Sequence, residues 1–269
     1  MSQAPDEDKP TRRRESFDMV AEDYDMYRPP YPPEVVDAVI TSSRLHSGSS
    51  VLEIGCGTGQ LSVPLAQLGV RLVAVELGPH LAAFARRNLE PFPNAQVEVG
   101  SFETWPLPRE KFDAVLSASA FHWLDPASRF TKVAEALRPE GRLTILHVHH
   151  VRGGTLGFFA DTQPFYIKWG LSDDPFFQPT TPDNAPIMYP ELDQAPEFRV
   201  VERQRYEIPM SYSTAAYIGM LRTDSLINSL DDLARRGFLE DIEHLIELSY
   251  GGEVARNYVY EIITAQRAS

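Results

Sequence analysis

The segment Val51-Leu52-Glu53-Ile54-Gly55-Cys56-Gly57-Thr58-Gly59 carries the strongest chemical signal in the chain. Its glycines fall where an apolar run gives way to a helical pattern, so a ligand can approach bare backbone where helix N–H groups point outward. A dinucleotide fingerprint would read G-x-G-x-x-G, and the position completing it from Gly55 is Gln60. The loop therefore argues against a pyrophosphate-binding dehydrogenase. Glu76, 21 residues after Gly55, ends the next apolar run and can accept hydrogen bonds from both hydroxyls of a ribose. Cys56, inside the loop, reads as a small packing residue rather than a nucleophile.

Alternating strand and helix patterns position these residues. Four prolines between Pro29 and Pro33 bar a helix before Glu34, after which Val35, Val36, Val39 and Ile40 form a helical stripe over about 34–45. Residues 50–54 read as a buried strand, and the glycine loop turns it into a helix carrying Leu61, Leu65 and Leu68 and ending at Gly69. A strand over 71–76, a helix over 79–89 and strands over 96–99 and 112–117 follow. A helix over about 128–137 leads through Pro139 and Gly141 into a strand over 142–148. This βαβα alternation predicts a parallel sheet.

The second half is less regular, because seven prolines from Pro164 to Pro196 interrupt an aromatic-rich stretch that includes Phe158, Phe159 and Trp169. It reads as an irregular lid over a pocket. A strand over 198–208, helices over about 213–222 and 231–248, and a strand over 258–265 with helix nearly as compatible complete the pattern. The expected organisation is a loose arm over 1–15, a core over 16–150, and lid elements plus the last strands over 151–269.

Composition narrows the function. The 269 residues hold 25 Lys+Arg against 38 Asp+Glu, a formal net charge of −13, in an ordinary globular composition. Such a surplus repels phosphate backbones and anionic lipid, which excludes a broad nucleic-acid or membrane-surface partner. The basic run Arg12-Arg13-Arg14 sits among polar residues without an apolar segment beside it, so it reads neither as a signal peptide nor as a groove-binding helix. One cysteine excludes an intramolecular disulfide and fits a cytoplasmic location. No apolar run approaches the roughly 20 residues a membrane span needs. Pro29-Pro30-Tyr31 matches part of the D/N-P-P-Y box of amino-methylating nucleic-acid enzymes, but Arg28 stands where Asn or Asp is required.

Taken together, Phe17, Tyr24-Asp25, Tyr27-Arg28-Pro29, the glycine loop with Glu53, Glu76, and Phe112-Asp113-Ala114-Val115 running into Phe121-His122-Trp123-Leu124 resemble the class I S-adenosylmethionine-dependent methyltransferases. The likeness is to the small-molecule group that includes trans-aconitate and ubiquinone/menaquinone methyltransferase-like enzymes, and it covers 16–150. It implies a Rossmann-like α/β fold with a mostly parallel seven-stranded sheet, helices on both faces and an inserted lid. It also implies S-adenosylmethionine as donor and S-adenosylhomocysteine as product. Glu53, Gly55, Gly57 and Gln60 would then line the amino-acid end of the donor, Glu76 and Leu77 the ribose, and Ser101 with Phe102 the adenine. Ser117 would border the donor, and Tyr24 and Arg28 would close over it. One departure is Ser101, which stands where the family often has an acid; Glu103 is the substitute acceptor.

In the family's sheet order the fourth and fifth strands are neighbours, so His122, Trp123, His147, His149 and His150 would face one pocket. His122 or His149 could take a proton from an acceptor hydroxyl or amine. Trp123, His150, Phe158 and Phe159 would wall the acceptor pocket. His147-x-His149-His150 on a strand divides its rings between two faces and has no paired carboxylates nearby, which argues against a metal site. The expected function is direct in-line methyl transfer to a small-molecule acceptor by a monomer or homodimer. Rival readings are a non-catalytic nucleoside-binding protein of the same fold and, with less support from the loop, a nicotinamide-dependent oxidoreductase.

Overall fold

The computed structural model describes residues 16–174 and 176–268; the expected arm over 1–15 lies outside them. After helix α1 (Ala21–Tyr27), helix α2 (Pro33–Ser42) leads into β1 (Ser50–Ile54), α3 (Ser62–Gln67), β2 (Arg71–Glu76), α4 (Pro79–Leu89), β3 (Ala95–Val99), β4 (Phe112–Ala118), α5 (Arg129–Ala136) and β5 (Leu137–Val151). Helix α6 (Phe158–Lys168), β6 (Phe198–Ser213), α7 (Thr214–Arg222), α8 (Asp232–Tyr250) and β7 (Glu253–Arg267) follow.

The strands form one seven-stranded sheet in the order β3-β2-β1-β4-β5-β7-β6. β1 pairs in parallel with β2 and β4, β2 with β3, and β4 with β5. Winding runs outward from β1 through β2 to β3, then restarts beyond β1 at β4 and proceeds to β5. With right-handed crossovers, that reversal sends α3 and α4 to one face and α5 to the other. Strands β1 and β4 show almost unbroken burial, as doubly covered parallel strands do. On the far side, Arg199–Gln266, Arg205–Glu261 and Glu207–Asn257 pair ascending residues of β6 with descending residues of β7, the mark of antiparallel strands.

The chain packs as two compact units. One comprises described residues 16–28 with 150–185 and 207–259; the other comprises 29–149, 186–206 and 260–268. The latter, the glycine-turn unit, holds the core of Leu52, Val75, Phe102, Phe121, Leu143 and Ile263. The expected turn at Pro139–Gly141 is a register break within β5: Phe112 pairs with Leu137, but Ala114 pairs with Arg142.

In the helical unit, part of the stretch expected to be irregular is regular. Residues 158–168 form α6, with Pro164 inside it. A proline there removes a helix bond, and packing compensates. Phe158 is buried edge-on between Tyr217 and Tyr250, and Trp169 donates its indole N–H to Asp241 at 2.7 Å. Tyr27 lies so close to α7 that a Cβ on Gly219 would meet its ring at 2.2 Å. Gly219→Ala is therefore expected to destabilise the protein by about 1–3 kcal/mol through overpacking. A urea midpoint equal to wild type would show that this contact is not tight in solution.

Candidate functional site

Strand order reverses between β1 and β4, so the chain diverges from their C-terminal ends and leaves a crevice, the usual ligand position in open α/β sheets. Three glycines of the β1 turn adopt left-handed backbone: Gly55 at φ +70°, Gly57 at +59° and Gly59 at +103°. At Gly55 a side chain is excluded twice, because a Cβ would also lie 2.5 Å from that of Ala120 in the turn after β4.

Glu76 ends β2, the strand beside β1, and is 7% exposed. Its Oε2 accepts the Gly57 N–H and its Oε1 the Gly78 N–H, both at 2.9 Å. The carboxylate is thereby oriented between two turns, and a carboxylate oxygen can accept more than one hydrogen bond. Glu53, at 1% exposure, accepts the Ser62 hydroxyl at 2.5 Å. Burial raises its pKa to about 8; the Ser62 bond opposes the rise and the Glu76 charge adds to it. Burial also pushes the Cys56 thiol upward, helped by Glu53 and Glu76, so it stays protonated and unreactive.

The other expected donor-site residues of this unit fall nearby in sequence and structure. Gln60 donates to the Thr58 hydroxyl at 2.7 Å, and Leu77 lies between Glu76 and Gly78. The Ser117 hydroxyl donates to the Ile54 carbonyl at 3.0 Å, tying β4 to β1. Ser101 donates to the Glu103 carboxylate, so the expected acceptor and its substitute are joined to each other. Phe102 is buried in the core and covered by the Lys132 ammonium 5.3 Å above its ring.

Beyond β4 the histidines form a contiguous row. The His122 and His147 ring centroids are 5.7 Å apart, and those of His147 and His149 are 4.7 Å apart. His122 also packs against Trp123 at 4.7 Å. Burial and the Arg129 charge lower the His122 pKa to about 4. Burial lowers that of His147 to about 4, with His149 and His122 adding to the shift and Glu261 opposing it. Both rings are neutral at neutral pH. His149 bonds instead to buried Glu261 at 3.0 Å, and Glu261 also accepts Arg205 at 3.0 Å and the Met188 N–H at 3.1 Å. Burial would raise the Glu261 pKa, but the His149, Arg205 and Met188 bonds outweigh it and hold the pKa low.

Sequence reading missed Arg129 and Tyr189. Arg129 is buried against the rings of Phe121, Phe130 and Tyr189 and is paired with Glu191. The buried Tyr189 hydroxyl and His147 Nδ1 take no hydrogen-bond partner among the described residues. No group of three or more His, Cys, Asp or Glu among the described residues is arranged to hold a metal ion.

The remaining expected residues belong to the helical unit. Arg28 caps α1, lies 5.2 Å over the Tyr24 ring and donates to the Thr223 carbonyl at 3.0 Å. His150 faces Arg256, and Phe158 and Phe159 open α6.

Glu53 yields a signed pH dependence. Its folded pKa of about 8 exceeds the ordinary 4.5, so the protonated form is favoured by folding and the penalty grows as pH rises from 4.5 to 8. Glu53→Gln removes that penalty. The melting temperature of Glu53→Gln minus that of wild type is expected to increase between pH 5 and pH 8.5; a difference independent of pH would place an ionised Glu53 in the free protein.

Residues 52–145 match the family model described as a methyltransferase domain. An uncharacterized methyltransferase of Mycobacterium bovis is 37% identical over 146 residues, 54% of this chain and 56% of that protein. The malonyl-(acyl-carrier protein) O-methyltransferase of Hahella chejuensis is 31% identical over 132 residues, 48% of this chain and 47% of that protein. The chain thus matches about half the length of these curated relatives. Among solved structures, a SAM-dependent methyltransferase from Thiobacillus denitrificans in complex with S-adenosyl-L-homocysteine aligns with a TM-score of 0.56, covering 93% of this chain and 97% of that one at 16% identity. The glycine-turn half is similar in sequence to methyltransferases, and the chain adopts the Rossmann-like fold of the solved methyltransferases.

Proposed function

We propose that this protein is an S-adenosylmethionine-dependent methyltransferase acting on a small-molecule acceptor. The observation that carries the reading is the glycine turn with Glu76 held beside it at the β1–β4 reversal. The residues present fit the donor. Bare backbone at Gly55 and Gly57, with Gln60, would hold its amino-acid end; Glu76 and Leu77 the ribose; Ser101 and Phe102 the adenine. Around Gly100, which precedes Ser101, nothing lies within 4 Å of where a Cβ would stand. Bound there, S-adenosylmethionine supplies a methyl group on a positively charged sulfur, open to in-line attack.

The protein's own part is to bind, orient and manage one proton. Glu76 is fixed before ligand arrives, because both oxygens are already held by backbone amides. Neutral His122 can accept a proton from an acceptor hydroxyl or amine, while His149 is committed to Glu261 and fits a positioning role. Trp123, packed against His122, would wall the acceptor on that side. The absence of a glycine at position 60 weighs against the nicotinamide reading.

Calorimetry with S-adenosylmethionine, S-adenosylhomocysteine and a nicotinamide dinucleotide tests the reading: the first two are expected to bind and the third not. Glu76→Ala is expected to weaken donor binding by about 1–3 kcal/mol, and unchanged affinity would remove Glu76 from the site. Donor binding without methyl transfer across a broad metabolite panel would favour a nucleoside-binding protein. If His122 is the base, kcat is expected to stay flat from pH 6 to 8, since its proton is lost near pH 4. An inflection inside that window that persists in His122→Gln would assign the base elsewhere.

A further inference from the structure

The helical unit contains a cavity of about 350 Å³ whose wall includes the turn Gly153-Gly154-Thr155-Leu156-Gly157, the start of α6 and Arg256. The turn is pressed onto β7. Gly153 and Gly154 have φ of +136° and +81°, and a Cβ on Gly154 would lie 2.1 Å from the Ala255 carbonyl oxygen. Thr155 clamps the same residue twice, donating its N–H to the Ala255 carbonyl at 3.0 Å and accepting the Ala255 N–H on its hydroxyl at 2.8 Å. Arg256 is thereby fixed beside the turn.

Two independent features of this wall favour negative charge. Arg256 is only 8% exposed, yet among the described residues its guanidinium meets no acid: Nη1 donates to the Tyr217 hydroxyl at 2.7 Å, Nη2 faces His150 Nδ1 at 3.4 Å, and the Phe159 ring lies 5.2 Å away. Arg129, also buried, has Glu191 as its counterion. A buried cation without a counterion is costly, and an anion placed beside it recovers part of that cost. The second feature is α6 itself, an 11-residue helix whose N-cap is Gly157 in left-handed conformation, so no side chain caps its first amides. The Phe158 N–H is taken by the Thr155 carbonyl at 3.3 Å, and the Phe159 and Ala160 amides that follow form a positive helix end at the cavity wall. Asp161, the acid in that turn, is engaged by the Tyr250 hydroxyl at 2.6 Å. Phe158, Phe159 and Pro179 supply apolar surface around this polar wall, and the 96% exposed Leu156 stands at its rim.

We infer that this cavity is a binding site for a small molecule carrying a carboxylate or phosphate on an apolar body, with Arg256 and the α6 amides as the anion's partners. The inference goes beyond methyl transfer and needs neither donor nor turnover, so its test is separable from that of the proposed activity.

The full chain is titrated with benzoate, phenyl phosphate and the uncharged benzamide. Benzoate or phenyl phosphate is expected to bind at least about tenfold more tightly than benzamide, and less tightly as salt rises. The tighter of the two names the anionic group. Arg256→Gln is expected to abolish that preference. Because Arg256 is buried, a second pair acts at the exposed rim: Leu156→Glu is expected to weaken anion binding several-fold more than Leu156→Gln does, with no such difference for benzamide. Equal binding of anions and benzamide, no binding of any probe up to about 10 mM, or indifference to Leu156→Glu overturns the site.

Discussion

The end of β2 is the joint on which the glycine-turn unit depends. Val75 and Glu76 hold the turns after three strands: the Gly55 N–H donates to the Val75 carbonyl and the Gly100 N–H to that of Glu76, both at 2.8 Å, while the Glu76 carboxylate takes Gly57 and Gly78. A buried carboxylate loses its water, and amides aimed at it replace that water at about 1.5–3 kcal/mol per charge-assisted bond. Gly55 and Gly57 donate from left-handed backbone that side-chain-bearing residues adopt with strain. The turns after β1, β2 and β3 are therefore shaped together by this one strand end.

Charge is distributed around that joint unevenly. Glu53 lies on the adjoining strand, but burial and the Glu76 charge leave it protonated at neutral pH, so the two carboxyl groups need not both carry charge in one dry space. His122 and His147 are likewise kept neutral by desolvation, with the Arg129 charge adding to the effect at His122. Of these groups Glu76 is the one surrounded by amide donors, which suits it to polar hydroxyls, while the histidine row offers lone pairs rather than positive charge.

Much of the first half was legible because its strands are short, apolar and bounded by turn residues. β1 and β2 and helix α4 occupy the ranges expected from pattern alone. The misreading of 158–168 has a definite cause: Pro164 and the surrounding prolines argue for irregular chain locally, whereas the helix is held by distant aromatics such as Tyr217 and Tyr250. Tertiary packing overrides local preference there. The same separation hides the partners of the site. His149 and Glu261 are 112 positions apart, and Arg129 reaches Glu191 across 62, distances at which no spacing rule operates. The glycine turn and Glu76 were readable because their chemistry is local to two adjacent strand ends.

Strand β5 shows how a period of two can separate chemistries that sequence leaves side by side. His149 and His150 are neighbours, but alternation sends His149 to Glu261 and His150 to Arg256. Each partner dictates where the proton sits. His149 faces a carboxylate through Nε2, which must therefore carry hydrogen; His150 faces an arginine through Nδ1, which must therefore be bare. A register slip of one residue would turn each ring to the opposite face and separate both pairs. The hydroxyl chain from Ser43 at 2.8 Å to Thr144, and from Thr144 to Thr264 at 3.1 Å, fixes β5 against that slip several residues before the histidines are reached. The polar pairs buried inside this sheet thus set which side of β5 meets an acid and which meets a cation, a distinction that apolar packing alone would leave undetermined.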